Sequence, residues 1–311
     1  MNCLLCYKPL TEDETDYHSK CIVKVFGLKQ MPELNIDEKQ LVQYAKKIIG
    51  AKKAITGVQP KLSLWLEKSK KNIRFTIVDD KSNYIIKPQS EIYMSLPENE
   101  DLCMHLAKEL GIKVATHGLV RLNSGKLAYI TKRFDRDGTY KIASEDLCQL
   151  TESLTEHKYR GSYEKTGKTI QEFSTQPGLD AILYYQLVLF SFLIGNADMH
   201  LKNFSMIEKK DGTFCLSPAY DLVSTHLVIK DETEQMSLNI NGKKNKIIRK
   251  DFDSLGGKLQ LAEKQILGCY KSFTDSFDKV YWWIDNSFLP AEYKDKLKQL
   301  MTERIEMLNP K

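Results

Sequence analysis

The chain has 311 residues, 42% of them hydrophobic, and a formal net charge of +5, a composition typical of a soluble globular protein. This length suffices for one large or two medium domains, and the weak positive charge permits an acidic ligand such as a nucleotide without indicating nucleic-acid binding. Seven cysteines, most of them scattered, argue against a secreted disulfide framework and favour a reducing cytoplasm. The N-terminus lacks the pattern of a signal peptide, and no membrane association is expected.

The first predicted element is a cysteine-rich segment at residues 1–30. Cys3 and Cys6 form a Cys-x-x-Cys pair, and His18 and Cys21 form a His-x-x-Cys pair. Four such side chains are enough to bind one structural zinc ion in tetrahedral geometry. The alternative is a small apolar hook with free thiols, and the sequence leaves both open.

A helix-like stretch at residues 36–49 leads into a strand-rich region. A helical pattern covers Asn99–Leu110, and Gly111 is its expected stop. Short runs of β-branched and aromatic residues, bounded by turn residues, predict strands at 61–66, 73–78, 84–87, 117–122 and 126–132.

The second half of the chain has a mostly helical pattern from Ser144 onward. The apolar run Ala181–Ile194 is shorter than the roughly 20 residues of a membrane span, so it predicts a core helix. One hairpin is predicted at 204–207 and 213–216, and amphipathic helices at 258–308. Strands first and helices later predict an α+β fold with two lobes. The predicted boundaries are 1–30 for the cysteine-rich segment, 31–135 for an N-lobe and 136–311 for a C-lobe.

The segment NADMHLKNFS, residues 196–205, directly follows the predicted core helix. Within it, Asp198 and Asn203 have D-x-x-x-x-N spacing, and Asp221 follows the hairpin. Phosphoryl transfer needs a carboxylate to orient the attacking hydroxyl and oxygen ligands for Mg²⁺, and protein kinases supply them in this order. The spacing alone also fits a polar loop with a helix cap, but the addition of Asp221 favours chemistry.

Two upstream features fit a bound nucleotide. Lys87 ends an apolar strand, where a kinase lysine contacts the phosphates and pairs with a helix glutamate, here Glu100. The stretch TGVQPK, residues 56–61, is neither a Walker A nor a G-x-G-x-x-G sequence, but Gly57 leaves room for a phosphate and Lys61 adds charge. Taken singly, a solvated lysine and an ordinary turn are the alternatives.

Together, these pieces resemble the HipA-like serine/threonine kinase family of bacterial toxin–antitoxin systems. The resemblance implies a bilobal protein-kinase-like fold, with a strand-rich N-lobe and a mostly helical C-lobe, that uses ATP and Mg²⁺. The matching segments follow the family's order: ITGVQPKLSL (55–64), YIIKP (84–88), NEDLCMHLAKELGI (99–112), KRFDR (132–136), EDLCQL (145–150), NADMHLKNFS (196–205) and LSPAYDL (216–222).

The resemblance also implies roles for single residues. Asp198 would be the catalytic base, and Asn203 and Asp221 would hold Mg²⁺. Family members autophosphorylate serines just before the loop glycine, where this chain has Ala54 and Thr56, so Thr56 is the remaining candidate. The implied ATP-binding residues are Thr56, Gly57, Val58, Gln59, Lys61 and Lys87, the hinge residues Lys132, Arg133 and Phe134, and His200, Lys202 and Tyr220.

The implied function is a toxin that phosphorylates a serine or threonine of a translation component, typically an aminoacyl-tRNA synthetase, and so arrests growth and favours persistence. Longer family members carry an extra N-terminal subdomain, whereas the phosphate loop here begins near residue 55, similar to the short HipT-like toxins of three-component systems. The implied partners are a small HipS-like protein and a helix-turn-helix HipB-like antitoxin, with DNA contacted only through the antitoxin. A small-molecule kinase and a catalytically dead scaffold are the alternatives.

Overall fold

The computed structural model describes residues 1–37, 39–41, 43–44, 61–69, 73–78 and 81–308. The chain divides into two compact units. The first comprises Met1–Leu102, Ala115–Lys141 and Asn286–Leu289, and the second comprises Cys103–Val114, Ile142–Asp285 and Pro290–Lys311. The cysteine-rich segment therefore falls in the same unit as the predicted strands, and the division into three domains stays a prediction.

A five-stranded sheet forms the centre of the first unit. All neighbouring strands are antiparallel, in the order β2-β1-β3-β5-β4. The five predicted strands are confirmed, and the predicted helix is confirmed with an earlier start, at Leu96 rather than Asn99. Half of the helix predicted at 36–49 lies outside the described residues, and residues 39–41, 43 and 44 are helical. The elements are α1 (Ser19–Phe26), β1 (Leu62–Lys68), β2 (Ile73–Ile77), β3 (Tyr84–Lys87), α2 (Leu96–Glu109), β4 (His117–Arg121), β5 (Leu127–Lys132) and the short hairpin β6 (Arg136–Asp137) and β7 (Tyr140–Lys141). The residues of α2 from Cys103 onward belong to the second unit.

The N-terminal segment contributes directly to the apolar core of this sheet. Alternate residues of β1 are buried, because successive strand side chains point to opposite faces. Phe26 of α1 packs edge-on against Phe75 of β2, with ring centroids 5.8 Å apart. The N-terminal residues that join this core are Cys3, Leu5, Cys21, Ile22, Val25 and Phe26.

The N-terminal residues also form backbone hydrogen bonds with two of the strands. The Leu119 N–H of β4 donates to the Leu4 carbonyl at 3.3 Å. Glu33 bonds β2 in two places. Its N–H donates to the Ile73 carbonyl and its carbonyl accepts from the Phe75 N–H, both at 2.9 Å. These bonds lie at opposite sides of the sheet, because β2 and β4 are its two outer strands.

The second unit is mostly helical, as the sequence predicts. The predicted hairpin is present, but a third strand that was not predicted, β8, pairs with it in the order β10-β9-β8. Residues 144–146 stay extended because Asp146 is the N-cap of the following helix and begins it in a capping box with Gln149. The elements are β8 (Ser144–Asp146), α3 (Leu147–Leu150), α4 (Tyr163–Phe173), α5 (Pro177–Leu193), β9 (Ser205–Glu208), β10 (Phe214–Leu216), α6 (Thr225–Val228), α7 (Arg249–Lys258), α8 (Glu263–Asp275), α9 (Phe277–Asn286) and α10 (Ala291–Leu308).

The helix α5 is the predicted core helix, and its end positions the NADMHLKNFS loop. It begins with Pro177, whose missing N–H is tolerated in a first helical turn. It is followed by Gly195 with φ +70°, where an added Cβ would lie 2.6 Å from Leu300 and 3.0 Å from His226. A glycine is therefore required where the chain leaves the helix. Across the described part of the chain, no helix is both long and apolar enough to span a bilayer.

Candidate active site

The loop after α5 brings the predicted catalytic residues Asp198 and Asn203 together. The Asn203 side chain donates from Nδ2 to the Asp198 main-chain oxygen at 2.9 Å, and the Asp198 N–H donates to Asn196 Oδ1 at 3.0 Å. The preceding N–H, of Ala197, donates to Thr225 Oγ1 at 2.9 Å. These bonds fix the loop, while the Asp198 side chain remains 52% exposed, so a substrate hydroxyl can reach its carboxylate.

The Asp198 carboxylate has two near neighbours. Tyr159 donates its hydroxyl to Oδ1 at 2.5 Å, and His200 Nε2 lies 3.9 Å from the same oxygen. The Tyr159 ring also contacts the His200 ring edge-on, at 5.0 Å between centroids. Burial and the bond to Asp198 raise the pKa of the Tyr159 hydroxyl, so it stays protonated and remains a donor.

The second predicted acid, Asp221, is held in an unusual backbone conformation. Its φ is +58°, in the left-handed region that residues other than glycine seldom occupy. The preceding residue, Tyr220, donates its hydroxyl to the Lys202 carbonyl at 2.8 Å and lies 2.6 Å from Ser205 Oγ. The hydroxyl of Tyr220 thus ties the segment after β10 to the NADMHLKNFS loop. Strained conformations of this kind concentrate at functional sites.

The pKa of the His200 imidazole is affected by both acids. Its burial lowers its pKa, and the carboxylates of Asp198 and Asp221 partly oppose that shift. His200 Nδ1 and Asn196 Nδ2 are buried and have no hydrogen-bond partner within the part of the chain that the structure describes. Such atoms are the ones that a bound ligand or water satisfies.

The donor set at this site fits a hard divalent cation. The Asp221 carboxylate and the Asn203 side-chain amide, the two predicted ligands, supply oxygen atoms of the kind that Mg²⁺ prefers. Since Asn203 uses its Nδ2 for the Asp198 carbonyl, its amide oxygen is the atom that would contact a metal. The residues therefore fit the Mg²⁺ that the sequence predicts.

Lys202, also predicted near the nucleotide, is engaged in an ion pair. Its Nζ lies 2.7 Å from Asp146 Oδ2, the N-cap carboxylate of α3. The pair links α3 to the NADMHLKNFS loop, next to a backbone bond from Leu147 N–H to the Phe204 carbonyl at 3.0 Å. Asp146 lies in the quoted EDLCQL segment, but no role was predicted for it.

In the first unit, Lys87 and Glu100 form the ion pair that the sequence predicts. Lys87 Nζ lies 2.8 and 2.9 Å from the two Glu100 carboxylate oxygens. Both side chains are buried, at 11% and 1% exposed. The pairing is confirmed, whereas the role of Lys87 in phosphate binding stays a prediction.

The predicted hinge residues lie at the end of β5, the strand that pairs with β3. Lys132 ends β5 and is exposed, and Phe134 is half-buried. Arg133 forms a bidentate pair with Asp135, at 2.9 and 2.7 Å, and donates to Ser82 Oγ at 3.1 Å. The guanidinium of Arg133 therefore braces the turn after the sheet.

The predicted phosphate loop falls mainly outside the described residues. Thr56, Gly57, Val58 and Gln59 all lie there, and Lys61 is described as an exposed residue directly before β1. The roles of these residues stay predictions.

Comparison with known proteins gives one family match and several relatives. The family model described as "HipA-like C-terminal domain" matches residues 53–281. Y4dM of Sinorhizobium fredii, named as a kinase, is 33% identical, and the match covers 78% of this chain and 62% of that protein. A protein of Haemophilus influenzae, also named as a kinase, is 27% identical over 99% of this chain and 97% of its own. The serine/threonine-protein kinase toxin HipA of Shewanella oneidensis is 30% identical, over 60% of this chain and 46% of its own.

Two solved structures share the fold. The HipA of Shewanella oneidensis, solved with HipB and its operator DNA, matches with a TM-score of 0.67 and 23% identity over 89% of this chain and 72% of that chain. The kinase CtkA of Helicobacter pylori matches with a TM-score of 0.56 and 16% identity, over 80% of this chain and 94% of its own. At these identities the likeness shows the fold, so the predicted α+β, protein-kinase-like fold is confirmed.

Proposed function

Because the chain belongs to the HipA-like family, whose model matches residues 53–281, we propose that it is an ATP- and Mg²⁺-dependent serine/threonine protein kinase. The observation that carries this proposal is the NADMHLKNFS loop, in which Asn203 bonds the Asp198 main chain and to which the Tyr220 hydroxyl ties the segment of Asp221. Binding alone would not require two acids and an amide in the order that phosphoryl transfer uses.

In this proposal Asp198 orients the substrate hydroxyl and accepts its proton. Its half-exposed carboxylate supports the role, since a protein side chain must approach it from solvent. Asn203 and Asp221 hold the metal, which when bound neutralises charge on the phosphates. Tyr220 ties the segment of Asp221 to the loop of Asn203 through its bond to the Lys202 carbonyl, and His200 lies beside the Asp198 carboxylate.

Lys87 holds the phosphates in this proposal, and Glu100 keeps its ammonium in place. The two hydrogen bonds at 2.8 and 2.9 Å support that arrangement, because a fixed charge stabilises developing negative charge without reorganisation. The residues Thr56, Gly57, Val58, Gln59 and Lys61 are the proposed phosphate loop. Lys132, Arg133 and Phe134 are the proposed hinge, Lys202 a proposed nucleotide neighbour, and Thr56 the proposed site of autophosphorylation.

We further propose that the kinase is the toxin of a toxin–antitoxin system and phosphorylates a translation component, an aminoacyl-tRNA synthetase. The similarity to a HipA toxin and to a HipA solved with HipB and operator DNA supports this role and a helix-turn-helix antitoxin. A small HipS-like protein is the second proposed partner, with DNA reached only through the antitoxin. These partners and targets are cytoplasmic, so the proposal locates the protein there.

The test is phosphoproteomics after induced expression, with Asp198→Asn as the inactive form. We expect growth arrest and one or a few new phosphoserine or phosphothreonine sites with the parent chain, both absent with Asp198→Asn, since loss of a general base typically slows transfer about 10²–10⁴-fold. The matched control is Asp278→Asn, an exposed acid of α9, which should behave like the parent. Equal arrest by all three chains would exclude a catalytic explanation.

Measurements of nucleotide binding distinguish the proposed roles of Asp198 and Asp221. Asp221→Gln removes a proposed metal ligand, so we expect weaker Mg²⁺-dependent ATP binding in calorimetry together with lost transfer. Asp198→Asn is expected to lose transfer with much less effect on binding. If labelled ATP marks a small metabolite and no protein in a lysate, the small-molecule kinase becomes the better explanation.

A further inference from the structure

The cysteine-rich segment folds so that four metal-binding side chains meet. The sulfurs of Cys3, Cys6 and Cys21 and Nδ1 of His18 all lie within 4.8 Å of one another. His18 Nδ1 is 3.3 Å from the Cys6 sulfur and 3.8 Å from the Cys21 sulfur. A tetrahedral ion with Zn–S of about 2.3 Å and Zn–N of about 2.0 Å separates its ligand atoms by roughly 3.6–3.8 Å. The two distances from His18 Nδ1, 3.3 and 3.8 Å, are thus close to the spacing of a zinc site, and the sulfurs lie within 4.8 Å of one another.

The imidazole of His18 is oriented as a metal ligand is. Its Nε2 lies 3.0 Å from the Pro9 carbonyl, which can only accept a hydrogen bond, so Nε2 carries the proton. Nδ1 is then the unprotonated nitrogen, and it is the one that faces the sulfurs. A second ring nitrogen bonded to a carbonyl is the usual arrangement that fixes the tautomer of a metal-bound histidine.

The backbone around the first cysteine pair supports thiolate ligands. Within the Cys-x-x-Cys turn, the Cys6 and Tyr7 N–H groups donate to the Cys3 carbonyl at 3.4 and 2.9 Å, and Tyr7 has φ +59°. The His18 N–H points at the Cys3 sulfur at 3.4 Å. An N–H directed at a sulfur stabilises negative charge on it, so the His18 N–H favours Cys3 as a thiolate ligand.

We infer that Cys3, Cys6, His18 and Cys21 bind one zinc ion with a structural role. Three soft thiolates and one imidazole in a tetrahedral arrangement select zinc over the hard cations. All four positions are filled by protein, which leaves none for a substrate. A disulfide does not explain the cluster, because it would use two sulfurs and leave the third thiol and the oriented imidazole without a role.

The site connects to the rest of the first unit. Tyr7, directly after Cys6, donates its hydroxyl to Asp101 Oδ2 at 2.6 Å, and Asp101 Oδ1 lies 2.6 Å from His117 Nδ1. Asp101 belongs to the first turns of α2, next to Glu100. Zinc would therefore hold, through the turn that carries Tyr7, the part of α2 that pairs with Lys87.

The first experiment measures metal in the full-length chain purified without chelators or added zinc. Plasma mass spectrometry should find about one zinc per chain. The variant Cys6→Ser should keep less than a tenth of that zinc. The matched control is Cys269→Ala, a buried cysteine of α8 outside the cluster, which should keep the full amount. A parent chain without zinc, or Cys6→Ser with a full equivalent, would overturn the inference.

A second measurement covers the case in which Cys6→Ser does not fold. The parent chain is stripped of metal and titrated with Co²⁺, which should bind at one equivalent with the intense visible absorption of a tetrahedral thiolate complex. The conservative variant Cys21→His, which keeps four ligands, should still bind, with a spectrum shifted by the loss of one sulfur. Absence of that absorption in the parent chain would contradict a zinc site of this composition.

Hydrogen exchange tests the connection to α2. Removing the metal should speed amide exchange at residues 97–101 at least tenfold, while α5 in the second unit should change little. Unchanged exchange in α2 of a chain shown to have lost its zinc would exclude the connection.

Discussion

The Asp198 carboxylate accepts a hydrogen bond from Tyr159, and in the proposed mechanism this bond affects how readily Asp198 can accept a proton. The bond is short, 2.5 Å, and Tyr159 remains a donor because burial and the bond itself raise its pKa. A substrate hydroxyl that approaches Asp198 must therefore share Oδ1 with Tyr159 or use the other oxygen. We expect Tyr159 to restrain the acid in the substrate-free enzyme.

Replacing Tyr159 with phenylalanine tests this restraint. Hydrogen bonds to charged groups contribute about 1.5–3 kcal/mol, so freeing the carboxylate should raise the initial rate of phosphoryl transfer by about 10- to 100-fold. The rate is measured at saturating ATP with the substrate identified by phosphoproteomics. Tyr140→Phe, at an exposed position of β7, is the control and should not change the rate. A slower Tyr159→Phe enzyme would show instead that the hydroxyl aligns Asp198.

The sequence could predict a pair of site residues only where the two residues lie on the same or on neighbouring elements. Asp198 and Asn203 lie in one loop, and Glu100 lies in the helix that follows the strand of Lys87, so both pairs were predictable from neighbouring elements. Tyr159 is 39 residues from Asp198, and its segment has no motif, so only the folded chain brings it to the acid.

At the scale of elements, the end of α5 depends on Gly195. The residue combines a positive φ with close neighbours on α6 and α10, so neither the backbone nor the packing accepts a Cβ. The position of the NADMHLKNFS loop follows from this turn, because Asn196 begins directly after it.

The variant Gly195→Ala should lower the free energy of unfolding by about 1–3 kcal/mol, from backbone strain and overpacking together. It should also slow phosphoryl transfer, since the loop would shift. Gly178→Ala, at the start of α5, is the matched control, because an added Cβ there meets nothing within 4 Å. That change should be neutral or slightly stabilising in urea denaturation. Equal stability of the two variants would contradict the role of Gly195.

The Lys87–Glu100 pair joins β3 to α2, and its burial makes it sensitive to the loss of one partner. Glu100→Gln leaves the lysine charge buried beside a neutral amide, so the free energy of unfolding should fall by about 3 kcal/mol. The double variant Lys87→Met/Glu100→Leu should recover most of that loss, which guanidinium denaturation can measure. Glu292→Gln breaks the exposed pair with Lys296 and should change stability little. A small effect of Glu100→Gln would mean that water screens the pair.

The sequence predicted helices and strands where hydrophobic residues recur at a clear helical or strand spacing. It did not predict an element whose structure depends on pairing with a distant strand. The strands β1, β3 and β5 and the helix α5 have strong apolar patterns, and all are present. The strand β8 is the polar tripeptide Ser-Glu-Asp, whose extended form depends on pairing with β9 and on the cap of α3. No local pattern encodes such a strand.

At the scale of the whole molecule, the N-terminal segment and the sheet form one core, although the sequence suggested a separate segment at residues 1–30. Its apolar side chains occur in short, cysteine-rich stretches that do not reveal what they pack against. Gly118 of β4 shows how closely the N-terminal segment packs against the sheet, since an added Cβ there would lie 2.2 Å from Leu5 Cδ2. The overall α+β order was predictable because it depends on element sequence alone.

Deleting residues 1–27 should therefore destabilise the first unit rather than remove an independent appendage. The deletion exposes the sheet side chains that Phe26 and its neighbours cover, and burying a phenylalanine alone is worth about 3–5 kcal/mol. Thermal unfolding followed by circular dichroism should show a lower or absent transition for the first unit. Val23→Ala, at an exposed position of α1, is the control and should melt like the parent. An unchanged transition after the deletion would contradict a shared core.

The bonds from Leu4 to β4 and from Glu33 to β2 have a further consequence, because among the residues that the structure describes these are the two outer strands of the sheet. An open strand edge offers unsatisfied amide and carbonyl groups that can template pairing with another chain. Here residues of the N-terminal segment between Leu4 and Glu33 form hydrogen bonds with both outer strands. Damage to the N-terminus would then lead to aggregation through strand-to-strand contacts between molecules, even while the helical unit stays folded.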